Sequence, residues 1–224
     1  MPQRVIGAGD VKLAVVDDGE GIPVILAHGL TASRRYVVMG SRSLARSGHR
    51  VIAYDARGHG ASSPAPEAGA YGYEHLCRDL VAVLDALGLD RAVMAGASMG
   101  AHTILRLALD APERVAGLVV ITPSYEPVEH ADERRLLRWD ALADALRDSG
   151  VEGFVAAYGL EDVPEGWRAT IGTVLRQRLA AHQHPAAVAD ALRAVPRSRP
   201  FADLNALEAI ACPAVVVASR DGSD

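Results

Sequence analysis

The chain has 224 residues, of which 50% are hydrophobic and 23% charged, so it is long enough to bury one sizeable core and a small insertion. This composition excludes an intrinsically disordered chain. The formal net charge of −5 offers no basic surface to a phosphate backbone or an anionic membrane, so neither nucleic acid nor a membrane is expected as a partner.

The cysteines and the first 30 residues indicate the compartment. Cys77 and Cys212 lack the spacing of a disulfide framework or a zinc site, which favours a reducing environment. Residues 1–30 contain no secretory signal pattern, and no apolar run approaches the ~18 residues of a membrane span. We therefore predict a cytoplasmic protein, and because no His/Asp/Glu cluster has ligand spacing we predict no metal site.

In chain order, residues 3–16 alternate between polar and apolar and lead into a turn at 17–21, which predicts a β-hairpin or a pair of edge strands. Helical spacing of apolar residues predicts a helix over 73–87 that ends at Gly88. The alternation of strands and helices predicts a mostly parallel α/β sheet. Continuous apolar runs, typical of strands buried on both faces, occur at residues 24–27, 51–54, 92–95, 118–121 and 214–217.

The sequence between Ile121 and Ala214 contains helical patterns and no strand run, which predicts a helical insertion. We predict a core domain over residues 1–122, a helical cap over 123–200 and a return to the core over 201–224. Two cap helices are expected, near 132–147 with Leu136, Leu137, Ala143 and Leu146 facing inward, and near 167–179 with Ile171, Val174, Leu175 and Leu179 facing inward. The large side chains available to line a substrate pocket there are Trp139, Phe154, Tyr158 and Trp167.

The strongest functional signal is the pentapeptide Gly96-Ala97-Ser98-Met99-Gly100, which lies between an apolar strand and a helical run. This arrangement is typical of a nucleophile elbow, a strained turn that projects the serine hydroxyl above the sheet. Gly96 and Gly100 fit it because side chains two residues before and after the serine would collide. The alternative is a serine in an ordinary glycine-rich turn, and the flanking strand and helix argue against it.

At this motif the chain resembles the α/β-hydrolase family, and the resemblance runs from the N-terminal strands to the last residue. His28-Gly29-Leu30 resembles the family's HG-x turn, whose third backbone N–H forms half of an oxyanion hole. The resemblance implies that Leu30 supplies that N–H and Met99 the other, assisted by the helix dipole. The ring of His28 is expected to be structural.

The segment 55–62, DARGHGAS, is similar to the family's D-x-R-G-x-G-x-S loop. We expect an architectural role for it, with Asp55 and Arg57 paired locally, rather than a catalytic role for His59. His102 lies one helical turn after Ser98 and is expected to have a surface or packing role.

The resemblance also implies a triad acid after strand 214–219 and a histidine after one further strand. Asp221 and Asp224 are the candidate acids, and the sequence does not choose between them. None of the eight histidines lies beyond His184, so we interpret the sequence as a shortened form of a longer serine hydrolase that lacks the last strand and the C-terminal helix. Such a form is expected to have residual esterase activity at most and to associate through an exposed strand edge. The less favoured alternative recruits His182 or His184 as the base.

The sequence also bears on two rival functions, a dinucleotide-binding oxidoreductase and a binding protein. Gly7-Ala8-Gly9 resembles the start of a dinucleotide-binding fingerprint, but Lys12 and an alternating strand follow where a glycine and a helix are needed. A non-catalytic ligand-binding or receptor protein on the same fold stays open, because fold does not fix function.

Within the family, serine at the elbow argues against the haloalkane dehalogenase and epoxide hydrolase branches, which use a carboxylate nucleophile. The resemblance implies a serine hydrolase that cleaves a small-molecule ester, thioester or lactone through an acyl-enzyme on Ser98, without a cofactor. Acyl transfer, carbon–carbon bond hydrolysis and cofactor-free perhydrolysis use the same groups and remain alternatives. The sequence does not indicate an oligomeric state.

Overall fold

The computed structural model describes residues 3–123 and 132–218, and within these ranges seven strands form one sheet. The strands are β1 (Gln3–Ala8), β2 (Val11–Asp18), β3 (Ile22–Ala27), β4 (His49–Tyr54), β5 (Ala92–Ala97), β6 (Val115–Ile121) and β7 (Ala214–Val217). Their order across the sheet is β1-β2-β4-β3-β5-β6-β7. β2 pairs antiparallel with β1 and β4, and the other pairs are parallel. The predicted hairpin and mostly parallel sheet are confirmed.

Helices connect the strands and cover the sheet. In the described residues they are α1 (Ser43–Arg46), α2 (Tyr73–Ala86), α3 (Met99–Asp110), α4 (Glu133–Ala157), α5 (Glu165–Leu179) and α6 (Pro185–Ala194). The apolar face of α2 is buried in the main core, as its spacing predicts. The helix ends just before Gly88, whose φ of 64° is the left-handed conformation that favours glycine after a helix.

The middle of the sheet positions the site. β3 and β5 are neighbours, and the fully buried Ile25 and Met94 face each other in register. Ala27 pairs with Gly96 where both strands approach their carboxyl ends. Because parallel strands end at the same edge of a sheet, the segments that follow, 28–30 and 98–100, lie together there.

The last strand, β7, differs from the other apolar strands. It pairs with β6 alone among the described strands, and all four of its residues are exposed. Val215 and Val216 are 58% and 62% exposed. The prediction that residues 214–217 are buried on both faces is therefore wrong, because β7 forms an edge of the described sheet and its side chains are not covered. An apolar run identifies a strand without identifying what packs on it.

The described residues between β6 and β7 are helical, with α4 packed mainly on α6. α4 is longer than predicted and breaks at Gly150, where φ is 63° and ψ is −152°. Ala143 and Leu146 are buried as expected, but Leu137 is 59% exposed. Its predicted inward placement is wrong because it lies nine residues before Leu146, which is roughly half a turn around a helix of 3.6 residues per turn.

The other two helices of this region show the same mixture of agreement and difference. α5 buries Leu175 and Leu179, whereas Trp167 at its start is 62% exposed. Pro185 begins α6. A proline fits the first turn of a helix because the N–H that it lacks would have no partner there.

Candidate active site

Ser98 occupies the turn between β5 and α3. Its φ of 49° and ψ of −115° are values that residues other than glycine rarely adopt. Two hydrogen bonds hold the turn: the Ser98 N–H donates to the carbonyl oxygen of Ile121 at 3.0 Å, and the Ser98 carbonyl accepts from the N–H of His102 at 3.1 Å. This strained, fixed backbone is the geometry expected of a serine at a nucleophile elbow.

Gly96 and Gly100 stand where no side chain fits. A Cβ on residue 96 would collide with the carbonyl oxygen of Gly100, and a Cβ on residue 100 would collide with that of Ala27. Both obstacles are backbone atoms, which cannot rotate away as a side chain can. The two glycines therefore allow the start of α3 to approach the end of β3 and bring Ser98 beside the turn at 28–30.

A cavity of about 60 Å³ opens at Ser98 and is lined by Leu30, Met99 and, from α4, Trp139. The N–H of Leu30 donates no hydrogen bond to any residue that the structure describes. The N–H of Met99 belongs to the first residue of α3, so it has no acceptor within the helix. Two backbone donors are thus available beside the Ser98 hydroxyl.

Three histidine rings hold the turn that carries Leu30. Each ring contacts one of three consecutive backbone carbonyls, residues 29–31, and the rings lie against one another with centroids 5.2 Å and 5.5 Å apart. The C=O of Gly29 and the N–H of Leu30 belong to one planar peptide unit, so fixing the carbonyl also fixes the N–H. The contacts are His28 Nδ1 to Gly29 O at 2.8 Å, His59 Nε2 to Leu30 O at 2.6 Å and His182 Nε2 to Thr31 O at 3.2 Å.

The environment keeps His28 and His182 neutral. Nε2 of His28 accepts a hydrogen bond from the N–H of Ala56 at 2.9 Å, and Nδ1 of His182 accepts one from the N–H of Gly60 at 2.8 Å. Burial lowers the pKa of His28 well below its usual value and lowers the pKa of His182 to about 4. Both nitrogens of each ring are engaged by backbone groups, so the structure does not place His182, an alternative base in the sequence analysis, against Ser98.

The segment 55–62 forms a buried polar loop after β4. Asp55 pairs with Arg34 and accepts from the N–H of Ala61 at 2.9 Å, while Arg57 makes a bidentate ion pair with Asp79 of α2 with both contacts at 2.7 Å. The predicted local pair of Asp55 with Arg57 is therefore wrong. The two side chains find partners on other elements, which complete their hydrogen bonding in the interior.

Other candidate residues are placed as follows. His102 is buried, lines the cavity at Ser98, and has Nδ1 3.0 Å from the hydroxyl of Tyr73. Its environment is interior rather than surface. The hydroxyl of Ser98 makes no hydrogen bond to a described residue, and Asp221 and Asp224 lie outside the described residues.

Arg178 is a candidate that the sequence analysis does not single out. Its Nη2 lies 4.0 Å from the position that a Cβ would occupy on Gly29, and the Cβ of Ser98 lies 3.5 Å from the same position. Nε of Arg178 is buried and has no hydrogen-bond partner among the described residues. Nothing in the sequence distinguishes it from Arg176, two residues earlier on α5, which forms an exposed ion pair with Glu152.

Several further features bear on the choice of site. Within residues 3–123 and 132–218, no group of three or more His, Cys, Asp or Glu side chains could hold a metal ion. None of the described helices combines the length and apolar character needed to cross a bilayer. A larger hollow of about 280 Å³ lies beneath residues 34–45, but neither Ser98 nor residues 28–30 line it. The smaller cavity at Ser98 is therefore the candidate active site.

Comparison with known proteins agrees with this fold and site. A family model described as the alpha/beta hydrolase fold matches residues 22–156. A protein of Variovorax paradoxus, provisionally named carbamate hydrolase RutD, is 35% identical over 210 residues, which cover 91% of this chain and 74% of that protein. The bifunctional epoxide hydrolase 2 of Sus scrofa is 38% identical over 120 residues, or 52% of this chain and 21% of that protein.

Among solved structures, a thermophilic esterase from Thermogutta terrifontis is 26% identical and superposes with a TM-score of 0.78, covering 96% of this chain and 79% of the esterase. The chain belongs to the α/β-hydrolase family. Its relatives carry the names of hydrolases, and it is an enzyme of that hydrolytic class.

Proposed function

We propose that the enzyme hydrolyses an ester, thioester or lactone of a small molecule through an acyl-enzyme on Ser98. The observation that carries this proposal is the strained serine turn, with two unengaged backbone N–H groups and a cavity beside it. A strained backbone at one nucleophilic side chain, with donors converging on the same space, fits acyl transfer better than a packing role.

In the proposed first step, the Oγ of Ser98 attacks the acyl carbonyl carbon while a base removes the hydroxyl proton. The negative charge that develops on the carbonyl oxygen is stabilised by the N–H groups of Leu30 and Met99, and the N-terminal end of α3 adds a favourable dipole. The alcohol or thiol then leaves with the proton. Water attacks the acyl-serine in the second step, releasing the carboxylic acid and restoring the hydroxyl.

The proton acceptor in this proposal lies outside the described residues. Ser98 Oγ has no hydrogen bond to a described residue, and the rings of His28 and His182 are bound by backbone groups. A serine hydroxyl is a weak nucleophile without a positioned base. We therefore assign proton transfer to a base outside the described residues, with Asp221 or Asp224 as the carboxylate that orients it.

The nucleophile favours acyl substrates over epoxides. The similarity to the epoxide hydrolase covers 52% of this chain. Attack by serine on an acyl carbon gives an ester intermediate that water can hydrolyse at the same carbonyl, with the same two N–H donors. A carbamate carbonyl, which the name of the Variovorax relative suggests for that protein, is open to the same attack.

The helices α4, α5 and α6 form the proposed cap over the nucleophile. Trp139 and Arg135 of α4 line the cavity together with Pro196, which follows α6. His182, in the segment between α5 and α6, hydrogen-bonds to both Thr31 and Gly60 of the sheet-edge loops. These contacts tie the cap to the turn beside Ser98, so the cap shapes the entry to the site.

The test is covalent labelling by a fluorophosphonate probe, which reacts with activated serines. Labelling at Ser98, identified by peptide mass spectrometry, is expected in the wild-type protein and absent in Ser98→Ala. Ser41→Ala, at an exposed serine just before α1, is the matched control and should label like the wild type. Equal labelling of Ser98→Ala and the wild type would reject Ser98 as the nucleophile.

A further inference from the structure

Arg178 carries a positive charge that is not neutralised by any described carboxylate. Its Nε is buried without an acceptor, and none of the ion pairs of the described residues includes its guanidinium. The ring of Tyr36 lies near it, with the ring centroid 5.8 Å from the guanidinium carbon. Burying a cation without hydrogen-bond partners is costly, so a native protein that does so calls for an explanation.

Three other arginines of the chain are paired with carboxylates. Arg57, which is more deeply buried than Arg178, holds Asp79 in a bidentate pair, and Arg34 holds Asp55. Arg176, on the same helix as Arg178, is bound to Glu152 at 2.8 Å. Arg135, which lines the cavity at Ser98, also lacks an ion pair with a described residue, but among the described arginines only Arg178 has a buried nitrogen without a partner.

The position of Arg178 connects it with the nucleophile. Its Nη2 and the Cβ of Ser98 both lie within 4.0 Å of the point where a Cβ on Gly29 would stand. Its charge also lowers the pKa of His28 and of His182, although burial is the larger cause for both. The guanidinium thus contributes a positive potential at the turn that carries Leu30.

Some of the nitrogen atoms of Arg178 are accessible to solvent. Nε is inaccessible, whereas the two Nη atoms make no hydrogen bond to a described residue and retain accessible surface. Two Nη donors in a rigid plane match the two oxygens of a carboxylate. A small anion that reaches this plane would provide the partner that the described residues do not.

We propose that Arg178 binds a carboxylate of the substrate, so that the enzyme acts on an acyl compound carrying a free acid group close to the scissile carbonyl. This inference rests on the proposed function, because it assigns a substrate class to the site at Ser98. Arg178 is then a specificity-determining residue: it holds the charged end of the substrate while the carbonyl lies at Ser98. Neutral analogues of the same length leave the guanidinium without its partner and bind more weakly.

Ligand binding tests this inference without requiring turnover. The protein is Ser98→Ala, and the probes are monomethyl glutarate, which carries a carboxylate on its acyl side, and its neutral counterpart dimethyl glutarate. Calorimetric titration should show tighter binding of the monoanion. Arg178→Gln in the same background should weaken binding of the monoanion by roughly tenfold to a hundredfold and leave the neutral diester unchanged, since a hydrogen bond to a charged group is lost.

The matched control is Arg176→Gln, which removes an exposed arginine from the same helix and should change neither affinity. The acetate ester of glycolic acid places the carboxylate on the alcohol side, so its comparison with monomethyl glutarate shows which side of the scissile bond Arg178 serves. A preference for either anion over the neutral diester that depends on Arg178 supports the proposal. Three results would overturn the proposal. The charged and neutral probes could bind equally well, no probe could bind at all, or Arg178→Gln could weaken the binding of charged and neutral probes equally.

Failure of this inference and failure of the proposed function give different results. If the fluorophosphonate fails to label Ser98 but the monoanion binds in an Arg178-dependent manner, the serine mechanism is rejected and the anion site stands. If Ser98 labels and the probes show no charge preference, the mechanism stands and the carboxylate inference is rejected. A higher salt concentration should weaken the binding of the monoanion and not that of the neutral diester, because salt screens a contact between two charges.

Discussion

The loop 55–62 and the surroundings of Ser98 lie side by side at one edge of the sheet, but they treat polar groups in opposite ways. In the loop, Asp55, Arg57 and Ser62 are buried and each has hydrogen-bond partners. Around Ser98 the backbone is strained, and Arg178 has a buried nitrogen without an acceptor. In this part of the molecule, polar groups with complete hydrogen bonding support the fold, while polar groups with incomplete hydrogen bonding lie where a ligand is expected.

The largest expected effect comes from breaking the pairing in the loop. Asp79→Leu leaves the buried guanidinium of Arg57 without its bidentate partner, so the free energy of unfolding should fall by about 3–5 kcal/mol. Urea denaturation followed by circular dichroism measures this loss. The double variant Asp79→Leu, Arg57→Met should recover part of it, because no charge is then left unpaired. A double variant as unstable as the single one would contradict this account.

The next effect concerns the close approach at the elbow. Gly100→Ala places a Cβ against the backbone oxygen of Ala27, so we expect a loss of about 1–3 kcal/mol of unfolding free energy together with displacement of Ser98 and loss of fluorophosphonate labelling. The control is Gly7→Ala in β1, where a Cβ would meet no atom within 4 Å. Unchanged labelling in Gly100→Ala would show that the approach of α3 to β3 does not position the serine.

A pH-dependent effect is expected from the histidine beside Thr31. The pKa of His182 falls from 6.5 to about 4 on folding, so the unfolded chain binds the proton more readily and stability is lost as the pH falls through this window. The loss between pH 6.5 and pH 5 should be roughly 2 kcal/mol. His182→Gln keeps a donor and an acceptor but does not titrate, so this variant should lose less unfolding free energy between pH 6.5 and pH 5. An equal loss of unfolding free energy on acidification in the two proteins would show that His182 does not contribute to the pH dependence.

The smallest effect on stability is expected from Arg178. Arg178→Met removes a guanidinium with no described hydrogen-bond partner, so the free energy of unfolding should stay the same or rise by about 1 kcal/mol. Thermal denaturation of the ligand-free protein measures it, with Arg176→Met as the control on the same helix. A loss as large as that of Asp79→Leu would mean that Arg178 supports the fold rather than a ligand.

Local signals in the sequence explain what could be predicted. The strands around β3 and β5 were evident as apolar runs, and the turn at Ser98 was evident because its glycines are close in sequence to the residue they serve. These features depend on neighbouring residues and on a backbone that lacks space for side chains.

Long-range partners could not be predicted in the same way. The choice of Asp79 rather than Asp55 as the partner of Arg57 depends on the placement of α2 against the loop. The exposure of β7 depends on what lies beside it, and the isolation of Arg178 depends on which side chains α5 faces after packing. No pattern in the sequence distinguishes Arg178 from Arg176, because their difference arises only in the tertiary structure.

The contacts of His182 also constrain the order in which the molecule is assembled. Its hydrogen bonds to Thr31 and Gly60 join positions 151 and 122 residues apart in the chain. Contacts of such separation close large loops and tend to form after local structure. During synthesis on a ribosome, the sheet-edge turn therefore stays without one of its three ring contacts until residue 182 has emerged and docked. The final geometry of the turn at Leu30 is reached late, when most of the described chain has already been made.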